Sequence, residues 1–395
     1  MSEDPEPEMR EEARIPPEKS EPDLAGIGVE EILRALAVPG LGRSMARRVL
    51  GRFGSVDAAR AAGEDALRAL GLSARAIAAL REGRQSFDPD EEIAAAEREG
   101  VALVPLADPR YPAAVRRLTD PPLLLYMRGE LLERDALAVA VVGTRRASIY
   151  GLAQASRLAG DLARAGFTVV SGMARGIDAA AHDAALRAGG RTVAVVGCGL
   201  MNLYPPDHEK LADRIAGSGA LLSELPLRTK PAASNFPPRN RIIAALALGV
   251  LVVEAPRNSG ALITARLAGE MGREVFAVPG DVNRPQSRGG HALIRDGAKL
   301  VTCVEDIIEE FGPIEKGVRL SEETPPVTRL QAMMLNERER SVYDSLGLAP
   351  SDIDEVADRT GLTPANVGSI LTMLEMRRLV RRLPGGQYVR RETME

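Results

Sequence analysis

Between residues 136 and 278 the apolar positions fall in short unbroken runs: 136–142 (ALAVAVV), 167–170 (FTVV), 192–196 (TVAVV), 220–225 (ALLSEL), 249–253 (GVLVV) and 274–278 (EVFAV). Stretches with helical spacing lie between them, at 149–165, 176–188, 207–217, 238–248 and 260–272. A run that is apolar at every position predicts a strand buried on both faces, and alternation with helices predicts βαβ units. The fold class read from this pattern is α/β, a doubly wound and mostly parallel sheet. Ahead of it, residues 24–96 read as short helices broken at Val38-Pro39-Gly40-Leu41-Gly42, at Gly51-Arg52-Phe53-Gly54 and at Gly71. Two helices around a Gly-x-Gly turn predict a helix-hairpin-helix or SAM-like module. Its turn amides can hold a duplex phosphate, and a purely packing or recruiting module is the alternative. Beyond the sheet pattern, 313–328 reads as a linker, and 329–395 closes with a helix and two short strands around Pro384-Gly385-Gly386, the pattern of a winged helix. The expected domains are thus an acidic tail 1–23, the helical module 24–96, the α/β domain 97–312, the linker, and a winged-helix domain 329–395.

Charge refines this picture. The chain of 395 residues carries a formal −4, but residues 1–23 alone hold nine acids and three bases, so the remainder is slightly positive. Proline, like charge and low hydrophobicity predict a disordered tail. A nucleic-acid footprint has to be local, and two places supply one. Residues 373–391 hold six arginines, among them Arg377, Arg378, Arg381 and Arg382, against the single acid Glu375; they are read as a secondary DNA or partner contact, with a solvated face as the alternative. Residues 226–241 hold four bases, no acid and one aromatic. No run of eighteen apolar residues and no apolar leader segment occur, so a cytoplasmic protein without a membrane span is expected. Two cysteines, Cys198 and Cys303, are too few for a disulfide framework and lack zinc spacing.

In an open α/β sheet, ligands lie beyond the carboxyl ends of the strands. Three such ends here carry glycine: Gly143-Thr144-Arg145-Arg146, Ser171-Gly172-Met173-Ala174-Arg175-Gly176-Ile177-Asp178, and Gly197-Cys198-Gly199. Glycine admits close backbone approach, the helix start that follows aims amides at an anion, and arginine adds a bidentate phosphate donor. The first turn is not G-x-G-x-x-G, and Ser171 stands where a ribose-binding acid is needed, so a dinucleotide site is disfavoured. Neither G-x-x-x-x-G-K-[ST] nor G-x-S-x-G occurs. The three histidines, His182, His208 and His291, form no metal or triad pattern. Asp178 and Glu254 reach the same sheet edge, where orienting the arginines is the favoured role over placing a water. Pro237-Pro238 opens a helix with Arg239 and Arg241 in its first turn, against the helix dipole unless an anion intervenes. Two roles are open for Phe236, stacking on a base or anchoring the core.

Together, V142-G-T-R145, S171-G-M-A-R-G-I-D-A-A-A-H182, F236-P-P-R-N-R-I-I243, S259-G-A-L-I-T-A265, V278-P-G280 and G289-G-H291 resemble the DNA-processing protein A family (DprA, also called Smf) over roughly 100–302. The resemblance implies an extended Rossmann-like domain that binds single-stranded DNA, forms a homodimer and loads RecA recombinase during natural transformation, without cofactor or catalytic turnover. It implies DNA contacts at Gly143, Thr144, Arg145, Gly172, Arg175, Gly176, Lys230, Asn235, Phe236, Arg239, Asn240 and Arg241. With aromatics at 3% of the chain, phosphate gripping should dominate, and about four phosphates give a log–log salt slope of roughly −3. The rival readings are a nucleotide-binding or nucleotide-hydrolysing Rossmann-like enzyme, using Asp178 or Glu254, and a winged-helix transcription regulator.

Overall fold

The computed structural model describes residues 24, 26–311, 335–346, 351–376, 379–382 and 387–390; the expected acidic tail and the linker at 313–328 lie outside them. Contacts divide the chain into a unit ending at Pro89 and a second beginning at Asp90.

In the first unit, helices Val29–Ala37 and Arg43–Phe53 flank the Gly-x-Gly turn, followed by Val56–Ala61, Glu64–Ala69 and Ala74–Arg81. Leu33, Ala46, Leu50, Leu67, Ile77 and Leu80 fill its small core. The helix from Arg43 runs through Gly51 and ends only at Gly54, whose φ of 76° provides the left-handed cap.

The second unit is built on a nine-stranded sheet. Its strands are β1 (Val101–Pro105), β2 (Leu124–Gly129), β3 (Ala138–Val142), β4 (Thr168–Ser171), β5 (Thr192–Val195), β6 (Ala220–Ser223), β7 (Gly249–Val252), β8 (Glu274–Ala277) and β9 (Lys299–Leu300), in the spatial order β1-β2-β6-β5-β4-β3-β7-β8-β9. Strands β3 to β9 pair in parallel, whereas β2 runs antiparallel to β6 and β1 antiparallel to β2. The six runs read from the sequence are β3 to β8. Strand β3 shows why those runs are continuous: Ala138, Ala140 and Val142 enter one core and Val139 and Val141 the other, because successive side chains point to opposite faces. Helices Phe236–Leu246 and Gly260–Glu270 cover the first face, and Ile149–Arg164 and Ile177–Arg187 the second. Chain order runs outward from β3 to β6, then returns to place β7 on the other side of β3. The crevice between the ends of β3 and β7 is the topological switch point, where a doubly wound sheet leaves room for a ligand.

At the C-terminal end, helices Glu337–Ser345, Ile353–Thr360 and Pro364–Met376 precede an antiparallel hairpin, β10 (Val380–Arg382) with β11 (Tyr388–Arg390), around a core of Val342, Val356, Val367, Leu371 and Leu374. This is the winged-helix arrangement.

Candidate nucleic-acid interface

At the switch point lies an open cavity of about 390 Å³, walled by Gly143, Thr144, Arg145, Arg146, Ala174, Asp178, Phe236, Arg239 and Asn240, with Pro256 and Asn258–Ala261 opposite. Its two glycine turns interlock. Gly176 takes φ 81°, and a Cβ there would meet Thr144 O at 2.4 Å and Arg145 O at 2.9 Å, so only glycine lets the second turn lie against the first. The buried Asp178 carboxylate accepts from the amides of Gly143, Gly172 and Ala174, tying both turns to one side chain. Burial pushes its pKa up, while the nearby Arg239 charge and those amides act in the opposite direction. Glu254, also buried, receives Ser148 N at 2.9 Å and Ser148 Oγ at 2.6 Å, and so fixes the start of helix Ile149–Arg164 beside Arg145 and Arg146. Both acids thus hold backbone amides and the Ser148 hydroxyl, and not the arginines that the favoured sequence reading had them orient.

The cations divide into two groups. Arg145, Arg146 and Lys230 are exposed and have no ion-pair partner among the described residues. The Arg145 guanidinium lies over the half-buried Phe236 ring, 4.8 Å from its centroid, and the ring itself rests on Gly197 and Tyr204. Arg175 is exposed but paired with Asp207 at 2.8 Å. Arg241 is largely withdrawn, bonded at 2.7 Å to the buried carboxylate of Glu224.

Arg239 departs from expectation. Its side chain is buried, and the guanidinium donates from Nη1 to Gly172 O at 2.9 Å and to Val195 O, and from Nε to Asn240 Oδ1 at 3.2 Å. Burial lowers its pKa to about 10, so it stays charged at neutral pH. The conflict between a first-turn arginine and the helix dipole is thus relieved by strand-end carbonyls and the Asp178 charge, with no need of an external anion. Gly172 follows suit: it is buried, and a Cβ there would sit 2.6 Å from the Arg239 guanidinium, so the missing side chain makes room for Arg239. Asn240 is also buried and donates to Gly260 O at 3.3 Å. The third glycine turn is likewise structural. Gly197 underlies the Phe236 ring, and a Cβ on Gly199 would lie 2.1 Å from Leu227 O. Close packing thus accounts for both glycines of the third turn.

Asn235 sits half-buried at the start of the Phe236 helix, and Lys230 on the exposed loop before it. Arg146 and the Ser259-Gly260 helix start also line the cavity, which the sequence reading did not assign to the site. The second arginine of Gly-Thr-Arg-Arg was the signal for one, and a Ser-Gly pair after β7, with Ser259 capping Ala261 N, for the other. Arg381 and Arg382 are exposed on β10, and Arg377 and Arg378 lie outside the described residues. The histidines do not face the cavity as a set. His182 is fully buried against Thr192 Oγ1, its pKa lowered to about 3 by burial, and His208 and His291 bond to Met173 O and Gly280 O. Among the described residues no His, Cys, Asp or Glu group is placed to hold a metal ion, and no helix is long and apolar enough to cross a membrane.

Comparison with known proteins places this geometry. Residues 102–312 match the model for DNA recombination-mediator protein A, and residues 326–386 match the DprA winged helix domain. Protein Smf of Escherichia coli K12 is 41% identical over 295 residues, covering 73% of this chain and 77% of its own. The DNA processing protein DprA of Bacillus subtilis is 40% identical over 248 residues, 62% of this chain and 83% of its own. The X-ray structure of DprA from Streptococcus pneumoniae superposes with a TM-score of 0.62 at 36% identity, covering 72% of this chain and 98% of that one. The chain belongs to the DNA recombination-mediator protein A (DprA/Smf) family.

Proposed function

We propose that the protein binds single-stranded DNA along the rim of the β3/β7 crevice, protects incoming strands and delivers them to RecA recombinase in natural transformation, acting as a homodimer in the cytoplasm without catalytic turnover. The observation that carries this reading is the pair of unpaired, exposed cations Arg145 and Arg146 on the wall of the crevice, with Arg145 lying over the Phe236 ring; the exposed Lys230 stands on the loop that leads to Phe236. Arginines at a switch point suit phosphate groups, and the Arg145–Phe236 stack offers a flat surface to a base. The DNA contacts assigned to Gly143, Thr144, Arg145, Arg175, Gly176, Lys230, Asn235 and Phe236 belong to this proposal. Arg239, Asn240, Arg241 and Gly172 support the rim from beneath.

Binding without turnover is supported by the commitment of both rim acids to backbone amides and hydroxyls, which leaves neither to attack a ribose or direct a water. The helix Pro364–Met376 contains no Lys or Arg, which argues against that helix as a duplex-groove reader and leaves the sheet domain as the main nucleic-acid site. A fluorescence titration of labelled oligo-dT across a salt series tests the reading. Affinity should fall with salt at a slope of roughly −2 to −3, for three to four phosphates at ~0.7 each. A flat response refutes it, and free base released from nucleoside monophosphates would favour the enzyme instead.

A further inference from the structure

Just beyond Arg146 the rim opens into a second cavity, of about 580 Å³, between the start of helix Ile149–Arg164 and the loop after β8. Its walls include Ile149, Tyr150, Glu254, Pro279, Asp281 and Arg284. Seven large apolar side chains are exposed among the described residues, and four of them are on the two segments that form this cavity: Ile149 (89% exposed), Tyr150 (44%), Leu152 (38%) and Val282 (74%). Such clustering of apolar surface on a polar rim marks a binding site. Tyr150 is held in place, because its hydroxyl donates to Pro279 O at 2.7 Å while the ring stays open to solvent. The carboxylates of Glu254 and Asp281 make these walls a poor seat for phosphate. A neutral aromatic ring fits them.

The two cavities flank one turn. Arg146 and Ile149 are three residues apart, at most about 10–11 Å of chain, so a strand gripped at Arg145 and Arg146 brings its next nucleotides to this mouth. We propose that the second cavity is a base-binding subsite of the same single-stranded path: a nucleobase enters and stacks on Tyr150 beside Ile149 and Pro279, while its phosphate stays outside with the arginines. This rests on the single-strand reading above and adds to it where an unpaired base is taken.

The test uses the full chain and two labelled oligonucleotides, one just long enough for the cationic cavity and one a few nucleotides longer. Wild-type protein should bind the longer one more tightly. Tyr150→Ala should lose about 5- to 150-fold on the longer oligonucleotide and leave the shorter unchanged, whereas Tyr150→Phe, which keeps the ring, should retain the gain. Ile149→Ser, at a position too exposed to hold up the fold, should show a smaller loss of the same kind. Equal losses on both oligonucleotides, or none on either, overturn the subsite. So does an unchanged length gain accompanied by an altered oligomeric state in light scattering, which would make the patch a protein interface. If wild type binds neither oligonucleotide, the single-strand reading itself has failed before any variant is compared.

Discussion

Arg145 and Arg239 stand six ångströms or less from the same phenyl ring, at 4.8 and 5.7 Å, yet the structure gives them opposite duties, and a pair of substitutions separates these. Arg145→Ala removes an exposed cation that supports no buried group. One phosphate contact fewer lowers the salt slope by ~0.7, which at about 0.1 M salt is a loss of roughly fivefold in affinity, the same for unrelated sequences. Stability should change by less than about 0.5 kcal/mol, as for other surface positions. Arg239→Met keeps the length of the side chain but strips Gly172 O and Val195 O of their donor. Unsatisfied buried acceptors cost about 1–3 kcal/mol each, offset in part because a buried charge is also removed. A net loss of about 2–4 kcal/mol should follow, with the salt slope of the remaining folded protein unchanged. Denaturant unfolding and a salt series of anisotropy titrations on both variants measure the two quantities. Should Arg239→Met lower the slope as Arg145→Ala does while leaving stability intact, the inward placement of that guanidinium is refuted.

Other perturbations follow from the same contacts. Gly199→Ala should abolish soluble folding, since the added Cβ meets backbone atoms of Pro226 and Leu227 within 2.1–2.4 Å, where nothing flexible can yield; a soluble variant with wild-type melting would contradict the packing. Asp135→Asn should cost about 3–5 kcal/mol by breaking the largely buried pair with Arg191 (2.7 Å), without altering DNA affinity, and a shift in affinity would show coupling that the geometry does not contain. His182, depressed to about 3 when folded, takes up a proton first in the unfolded chain. Stability should therefore fall as pH drops below about 6.5, at up to ~1.4 kcal/mol per pH unit, while Asp178, raised when folded, offsets part of this at lower pH. His182→Gln should flatten the decline in a pH series of unfolding curves, and an unaltered profile would place its source elsewhere.

The sheet was legible because burial on both faces writes itself as unbroken apolar runs, as in Ala138–Val142. Strands β1 and β2 escaped the reading, for they lie in a proline-rich joining section and pair antiparallel at the margin, where no βα alternation marks them. Site chemistry was legible as far as residue type allowed. Arg145 and Arg239 look alike in a sequence; what distinguishes them is that strand-end carbonyls lie within reach of one and solvent surrounds the other, a tertiary fact. Gly172 and Gly199 likewise announce close approach without saying by what. In the first case the neighbour is a guanidinium, and in the second a peptide carbonyl.

Because a single carboxylate, that of Asp178, grips amides from both turns, the walls of the crevice are locked in place before any guest arrives. Little ordering entropy has then to be surrendered by the protein on association. On the proposed single-strand reading, uptake and release are then quick, with residence set by ionic strength.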